Sequence, residues 1–147
     1  MVGKNRVPDP FFTFTRKSKV IEIEMPFLAR VDSIINDYVT ELPGALKIAD
    51  ESERLSYLTQ FLKRSIMKIS NKLGGVRTQT VLADVEEAMF DYAHRHDPSA
   101  HRKWVSFLLE DYYDRHYVRH ITSSRDRIIF SGTPDEVMAF IASERLF

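Results

Sequence analysis

Two short runs with strand character, Val20-Ile21-Glu22-Ile23-Glu24 and Arg127-Ile128-Ile129-Phe130, stand about one hundred residues apart in the chain. The first alternates β-branched apolar residues with glutamates, the period of a half-buried strand. Two strands cannot form a stable sheet alone. A long helical connection between them is what parallel strands need, because a hairpin cannot join them. The pair therefore predicts part of an α/β protein: mostly helical, with two short parallel strands of a larger sheet and a helical insert between them. Residues 1–147 read as a single domain, without internal repeat or low-complexity tract.

The helical insert is written in apolar stripes. Pro26 suits a helix start, and Phe27, Leu28, Val31, Ile34, Ile35, Tyr38 and Leu42 follow at helical spacing up to Pro43-Gly44. Leu55, Leu58, Phe61, Leu62, Ile66, Ile69 and Leu73 trace a second stripe, opening near Asp50-Glu51 and ending at Gly74-Gly75. A third stripe runs through Val81, Leu82, Val85, Ala88, Met89 and Tyr92 and stops before Asp97-Pro98. A fourth helix is predicted from about Ser99 to Tyr117, with Trp104, Val105, Leu108, Leu109 and Tyr112 inward. Thr133-Pro134-Asp135-Glu136 reads as a capped helix start. Ahead of the first strand, Pro8 and Pro10 with Phe11, Phe12 and Phe14 suggest an extended arm or short helical turn pinned by aromatics.

Composition excludes several function classes. The 21 basic and 21 acidic residues cancel, so no global field commits the chain to nucleic acid or membrane, and local patches must do that work. The absence of cysteine removes disulfides, thiolate metal sites and cysteine nucleophiles. No signal peptide or membrane-length apolar run is evident, which predicts a cytoplasmic protein with no membrane partner.

The most lopsided charge run lies at the end of the second stripe. From Arg54 to Ala83 there is no acidic residue, while Arg54, Lys63, Arg64, Lys68, Lys72 and Arg77 are basic. Gly74-Gly75 offers a backbone able to take positive φ, and the helix that follows adds free N–H groups and a partial positive charge. Together they make a seat for an anion such as phosphate, or simply a helix end followed by a solvated face. A second cluster, Tyr112-Tyr113-Asp114-Arg115-His116-Tyr117, interleaves aromatic and charged groups, either to stack on bases or as core packing with a surface Asp111/Arg115 pair. His101, beside Arg102 and Lys103, reads as an anion contact or a helix-start residue. His94, His96, His116 and His120 lack a marked third ligand, so no metal site is expected. No phosphate loop and no Ser–His–acid motif is present.

In order and spacing these pieces resemble the tRNA 2-selenouridine synthase family. The likeness starts with Arg6-Val7-Pro8 and Pro10-Phe11. It runs through Val20-Ile21-Glu22-Ile23-Glu24, Pro26, Arg30-Val31 and Asp37-Tyr38-Val39. It continues in Lys72-Leu73-Gly74-Gly75, Arg77 and Gln79, then in His101-Arg102, Trp104, Leu108-Leu109, Tyr112-Tyr113-Asp114 and Tyr117. It ends in Ile129-Phe130 and Gly132. Thr78 and Arg115 depart from it, where the family usually has tyrosine and proline. The family joins a rhodanese domain holding the catalytic cysteine to a P-loop domain. It replaces sulfur by selenium in wobble 2-thiouridine of tRNA, using selenophosphate and, through an S-geranyl intermediate, geranyl diphosphate.

The resemblance covers only the C-terminal half of that P-loop domain. It implies a partial P-loop NTPase-like fold with a basic, lid-like helical insert. It places Lys72, Gly74, Gly75, Arg77 and Gln79 over a tRNA backbone or a diphosphate. His101, Trp104, Tyr112, Tyr113, Asp114 and Tyr117 would line or brace the substrate site, with Glu22, Glu24, Pro26 and Arg30 beside it. No catalytic residue and no cofactor is assigned to this chain alone. The expected partners are tRNA and a separate chain carrying the rhodanese and Walker A segments. The alternatives are a stand-alone RNA- or anion-binding module and a helical module that docks a partner.

Overall fold

The computed structural model describes residues 8–122 and 124–143, without the side chains at 12, 116 and 119–121. Arg6-Val7 and the side chains of Phe12, His116 and His120 therefore lie outside the described residues. In chain order the elements are α1 (Asp9–Lys17), β1 (Val20–Ile23), α2 (Phe27–Ile35), a π-type turn (Asn36–Glu41), α3 (Leu42–Ala45), α4 (Glu51–Met67), α5 (Ser70–Leu73) and α6 (Gly75–Arg95). A 3-10 turn (Pro98–His101), α7 (Arg102–Leu108), a second π-type turn (Leu109–Asp114) and α8 (Arg115–Thr122) follow. A last 3-10 turn (Arg125–Arg127), β2 (Ile128–Gly132) and α9 (Pro134–Ser143) close the order. The chain is mostly helical with two short parallel strands, as expected of a partial α/β domain. By contacts it divides into two compact units, residues 1–25 with 118–147 and residues 26–117.

In the first unit β1 and β2 pair in parallel, Val20 opposite Ile128 and Ile23 opposite Gly132, with an irregularity after Val20. The Glu24 amide adds a hydrogen bond to the Gly132 carbonyl at 2.7 Å. Phe130 stacks on Phe140 of α9 at 4.4 Å, which seats the helix on one face of the strands. The cap expected at Thr133 is a reciprocal box: the Thr133 amide donates to Glu136 Oε2 at 2.8 Å and the Glu136 amide to Thr133 Oγ1 at 3.4 Å. That box lies so close that a Cβ on Gly132 would stand 2.9 Å from Glu136 Oε2, which explains glycine there. The segment ahead of β1 corrects the sequence reading. Residues 9–17 form a regular helix, and Phe11 and Phe14 do not pin it, being 68% and 74% exposed. Arg127 instead fixes its end, donating to the Thr15 and Ser18 carbonyls at 3.1 and 2.9 Å, a cation placed where helix carbonyls are free.

The second unit holds the core. Val31, Ile35 and Val39 meet Leu58, Leu62, Ile66 and Leu73, and these meet Val81, Val85, Ala88, Met89, Trp104, Val105, Leu108 and Leu109. The apolar stripes predicted all of these positions except Val39; the first stripe names Leu28 and Tyr38 instead, which are 67% and 47% exposed. Asp50 caps α4 by accepting from the Glu53 amide at 2.7 Å. The first stripe does not stop at Pro43-Gly44, since the chain stays helical to Ala45 through the π-type turn. The second breaks early, at Lys68-Ile69, before the single turn of α5. The fourth continues past Tyr117 to Thr122, again through a π-type turn.

Of the two hinge glycines only Gly74 takes positive φ, at 90° with ψ 153°, while Gly75 opens α6 in helical conformation; His96, at the other end of α6, is also left-handed, at φ 53°. A Cβ at either position would meet nothing within 4 Å. Gly74→Ala is therefore expected to cost about 1–3 kcal/mol through backbone strain alone. Gly75→Ala is expected to be neutral or stabilising by up to about 1 kcal/mol. Urea unfolding of the two variants checks this, and equal effects would contradict the assignment of the turn to Gly74.

Candidate functional site

The basic run is displayed by the junction of α4, α5 and α6. Viewed down α4, Arg54, Arg64 and Lys68 fall within about 80° of one another, and Arg54 and Lys68 are about 20 Å apart along the axis. Lys63 pairs with Glu86 of α6, and Arg64 donates to Gln60 at 3.3 Å. Among the described residues no ion pair joins Arg54, Arg64, Lys68, Lys72 or Arg77 to a carboxylate. Part of this charge has a local reason: Arg64 and Lys68 sit at the carbonyl end of α4, where a cation is favoured. The α6 start has no side-chain cap. Its Thr78 amide and hydroxyl both turn back to the Gly74 carbonyl, at 3.0 and 2.8 Å, so the free amides are those of Gly75, Val76 and Arg77. Lys72, Gly74, Gly75, Arg77 and Gln79 are all exposed and share this junction. Ser56, Thr59, Gln60, Lys63 and Arg64 line a shallow open depression on the neighbouring face of α4.

His101 and Trp104 behave otherwise. His101 is fully buried, and its Nδ1 accepts a 2.9 Å hydrogen bond from Trp104 Nε1. The proton therefore resides on Nε2, which is buried without a partner. The Tyr92 ring stands edge-on at 6.1 Å. Burial lowers the His101 pKa to about 4, so the imidazole is neutral at physiological pH. The reading of His101 as an anion contact is thus corrected: a buried, neutral ring cannot meet an anion. Its role as a helix-start residue stands, since it closes the 3-10 turn and precedes α7. Tyr92 and Arg77 lie fifteen residues apart on α6, about 22 Å, so the structure separates the His101–Trp104 pair from the basic junction.

The third group, Tyr112, Tyr113 and Asp114, lies in the second π-type turn, with Tyr117 one turn on. Asp114 receives both terminal nitrogens of Arg30, from α2, at 2.6 and 2.9 Å. That bidentate bond holds the Asp114 carboxyl below its usual range and raises Arg30. The Arg30 guanidinium also lies 5.6 Å from the Phe27 ring centre. Tyr112 packs partly into the core, while Asp111 pairs with Arg115 at 2.8 Å. Sequence reasoning missed the Arg30–Asp114 clamp, because eighty-four positions separate its halves.

Among the described residues no group of three or more metal-ligating side chains converges, and no helix is long and apolar enough to cross a membrane. Comparison with known proteins gives the junction a context. The profile of the family described as tRNA 2-selenouridine synthase AAA domain matches residues 1–146. The tRNA 2-selenouridine synthase of Bdellovibrio bacteriovorus is 33% identical over 153 residues, which is 97% of this chain and 40% of that protein. That of Shewanella piezotolerans is 29% identical over 133 residues, 90% of this chain and 36% of that protein. That of Nitrosomonas europaea is 28% identical over 159 residues, 97% of this chain and 41% of that protein. The chain thus spans between 36% and 41% of the length of these relatives. No solved structure matches. By the match over nearly its whole length, the chain belongs to the tRNA 2-selenouridine synthase AAA domain family.

Proposed function

We propose that this chain is the tRNA-contacting part of a tRNA-modifying transferase, and that the α4–α5–α6 junction grips the RNA backbone. The observation that carries this is the row of cations without carboxylate partners, set beside three free amides at the start of α6. An exposed cation next to uncapped amides attracts phosphate by both charge and hydrogen bonding. The spread of that row, about 20 Å along α4, fits an extended polyanion better than a compact diphosphate.

In this reading the whole enzyme replaces sulfur by selenium in wobble 2-thiouridine, with selenophosphate as donor and an S-geranyl intermediate derived from geranyl diphosphate. The chain has no cysteine and no phosphate loop. A rhodanese segment would supply the nucleophile and a Walker A segment the phosphate site, completing a P-loop NTPase-like sheet on β1 and β2. The setting is cytoplasmic, where tRNA is modified. Lys72 and Arg77 hold the backbone from either side of the Gly74 turn, with Gly75 and the exposed Gln79 beside them on α6. His101 and Trp104 brace the α6–α7 contact from inside.

The test is tRNA binding by Lys72→Ala combined with Arg77→Ala. Both side chains are exposed, so folding should be retained. Affinity at low salt should fall about tenfold and the salt dependence should flatten by about two counterions. Unchanged affinity in the double variant would remove the junction from the interface.

A further inference from the structure

Tyr57 of α4 stands among the cations of the basic run. It falls inside the arc that carries Arg54, Arg64 and Lys68, about 4.5 Å along the axis from Arg54, about 10 Å from Arg64 and about 16 Å from Lys68. The residue is 46% exposed. Among the described residues no hydrogen bond and no ring contact engages it, whereas the exposed Phe90 lies against His94 and Tyr113 against Tyr112. Nor does the core need an aromatic here, since α4 meets it through Leu58, Leu62 and Ile66 on another face. Arg64 Nη2 donates to Gln60 Oε1 at 3.3 Å, and Gln60 is one turn from Tyr57, so the guanidinium is drawn back toward the ring. Glu53, exposed one turn before Tyr57, marks where the positive surface ends.

We propose that Tyr57 is a stacking platform for one unpaired RNA base, with the adjoining backbone running over Arg64 and Lys68 toward the α5–α6 turn. The inference rests on the RNA-binding reading above and adds that the RNA gripped there is single-stranded. A base inside an A-form duplex keeps its faces against its neighbours, so an exposed ring in a phosphate-binding row can stack only a base that is splayed out. Charge sets the path of the strand. Asp50, Glu51 and Glu53 repel phosphate at the start of α4, while Arg64 and Lys68 attract it at the end. The base is thus held at the margin of the basic surface and its phosphates within it. Stacking of this type tolerates any base, because every base has a π face.

The experiment measures binding of the full chain to a short single-stranded oligoadenylate and to a duplex RNA of the same length, over a series of salt concentrations. It compares wild type with Tyr57→Leu, Tyr57→Gln and Tyr57→Phe. Leucine and glutamine are both good helix formers, and circular dichroism verifies folding. Each should lower single-strand affinity between about 5-fold and about 100-fold, with the salt slope unchanged and duplex affinity within about twofold of wild type. Phenylalanine should bind as wild type does. Leucine and glutamine variants that bind the single strand as wild type does, or that lose as much on the duplex, would overturn the stacking platform and leave the phosphate junction standing. So would a wild-type chain that binds the duplex alone. A folded wild-type chain that binds neither RNA would overturn the RNA-binding reading itself, and the platform with it.

Discussion

Trp104→Ala is expected to destabilise the chain by about 3–5 kcal/mol. The indole is 5% exposed and lies in the core with Val105, Leu108 and Leu109 of the same helical run. Truncation removes that packing and leaves His101 Nδ1, now accepting at 2.9 Å, without a donor in a buried site. Trp104→Phe separates the two contributions: most of the ring remains and only the N–H is lost, so its cost should be nearer 1–2 kcal/mol. Urea unfolding followed by far-ultraviolet circular dichroism measures both, because the alanine variant removes the only tryptophan. Equal losses for alanine and phenylalanine would mean that packing around the indole contributes little.

Stability should fall as the solution is acidified from about pH 6.5 to about pH 4, and His101 should be responsible. Its folded value of about 4 lies below the ordinary 6.5, so within that window the unfolded chain binds a proton that the folded chain excludes. Stability is complete above 6.5 and is lost on the way down, at up to about 1.4 kcal/mol per pH unit and about 3 kcal/mol in all. Asp114 and Asp97 act in a lower range. Arg30 and Ser99, respectively, hold their carboxyls below the ordinary value of 3.8, so their contributions disappear only as pH falls below it. Unfolding midpoints of wild type and His101→Gln across pH 7 to 4.5 test the assignment. The variant should be less stable at pH 7 yet much flatter with pH. Parallel curves would place the titration elsewhere.

Periodicity reveals what is local and repeated. The stripe Val81, Val85, Ala88, Met89 needs only helical spacing to declare itself, and its burial follows. The parallel pairing of β1 with β2 was legible from the length of helical chain between two β-branched runs. The π-type turns were not. Each lies inside a continuous helical run, and the apolar spacing through Tyr38 or Tyr112 gives no sign that one turn is wider. The end of α4 at Met67 was hidden for the same reason, since Ile66, Ile69 and Leu73 keep the stripe across the break.

Candidate site residues were legible in part. The junction from Lys72 to Gln79 announces itself by the absence of acids, and the structure displays all five named residues at the surface. His101 was read from the neighbouring Arg102 and Lys103, which are exposed and pair with Asp32 and Asp84. The better signal was Trp104 three residues on, at the spacing that lets an indole N–H reach an imidazole. The Arg30–Asp114 clamp has no sequence signature. It arises only when α2 packs against α7, and that contact is set by the core.

Binding of the RNA backbone at the α4–α5–α6 junction is the central claim about this chain. The most direct measurement is the equilibrium binding of wobble-thiolated tRNA to the wild-type chain over a range of salt, with circular dichroism confirming the fold. Several of the five unpaired cations meeting phosphates predicts a log–log slope of about −2 to −4. A folded chain that binds with a slope near zero, or does not bind at all, would contradict it.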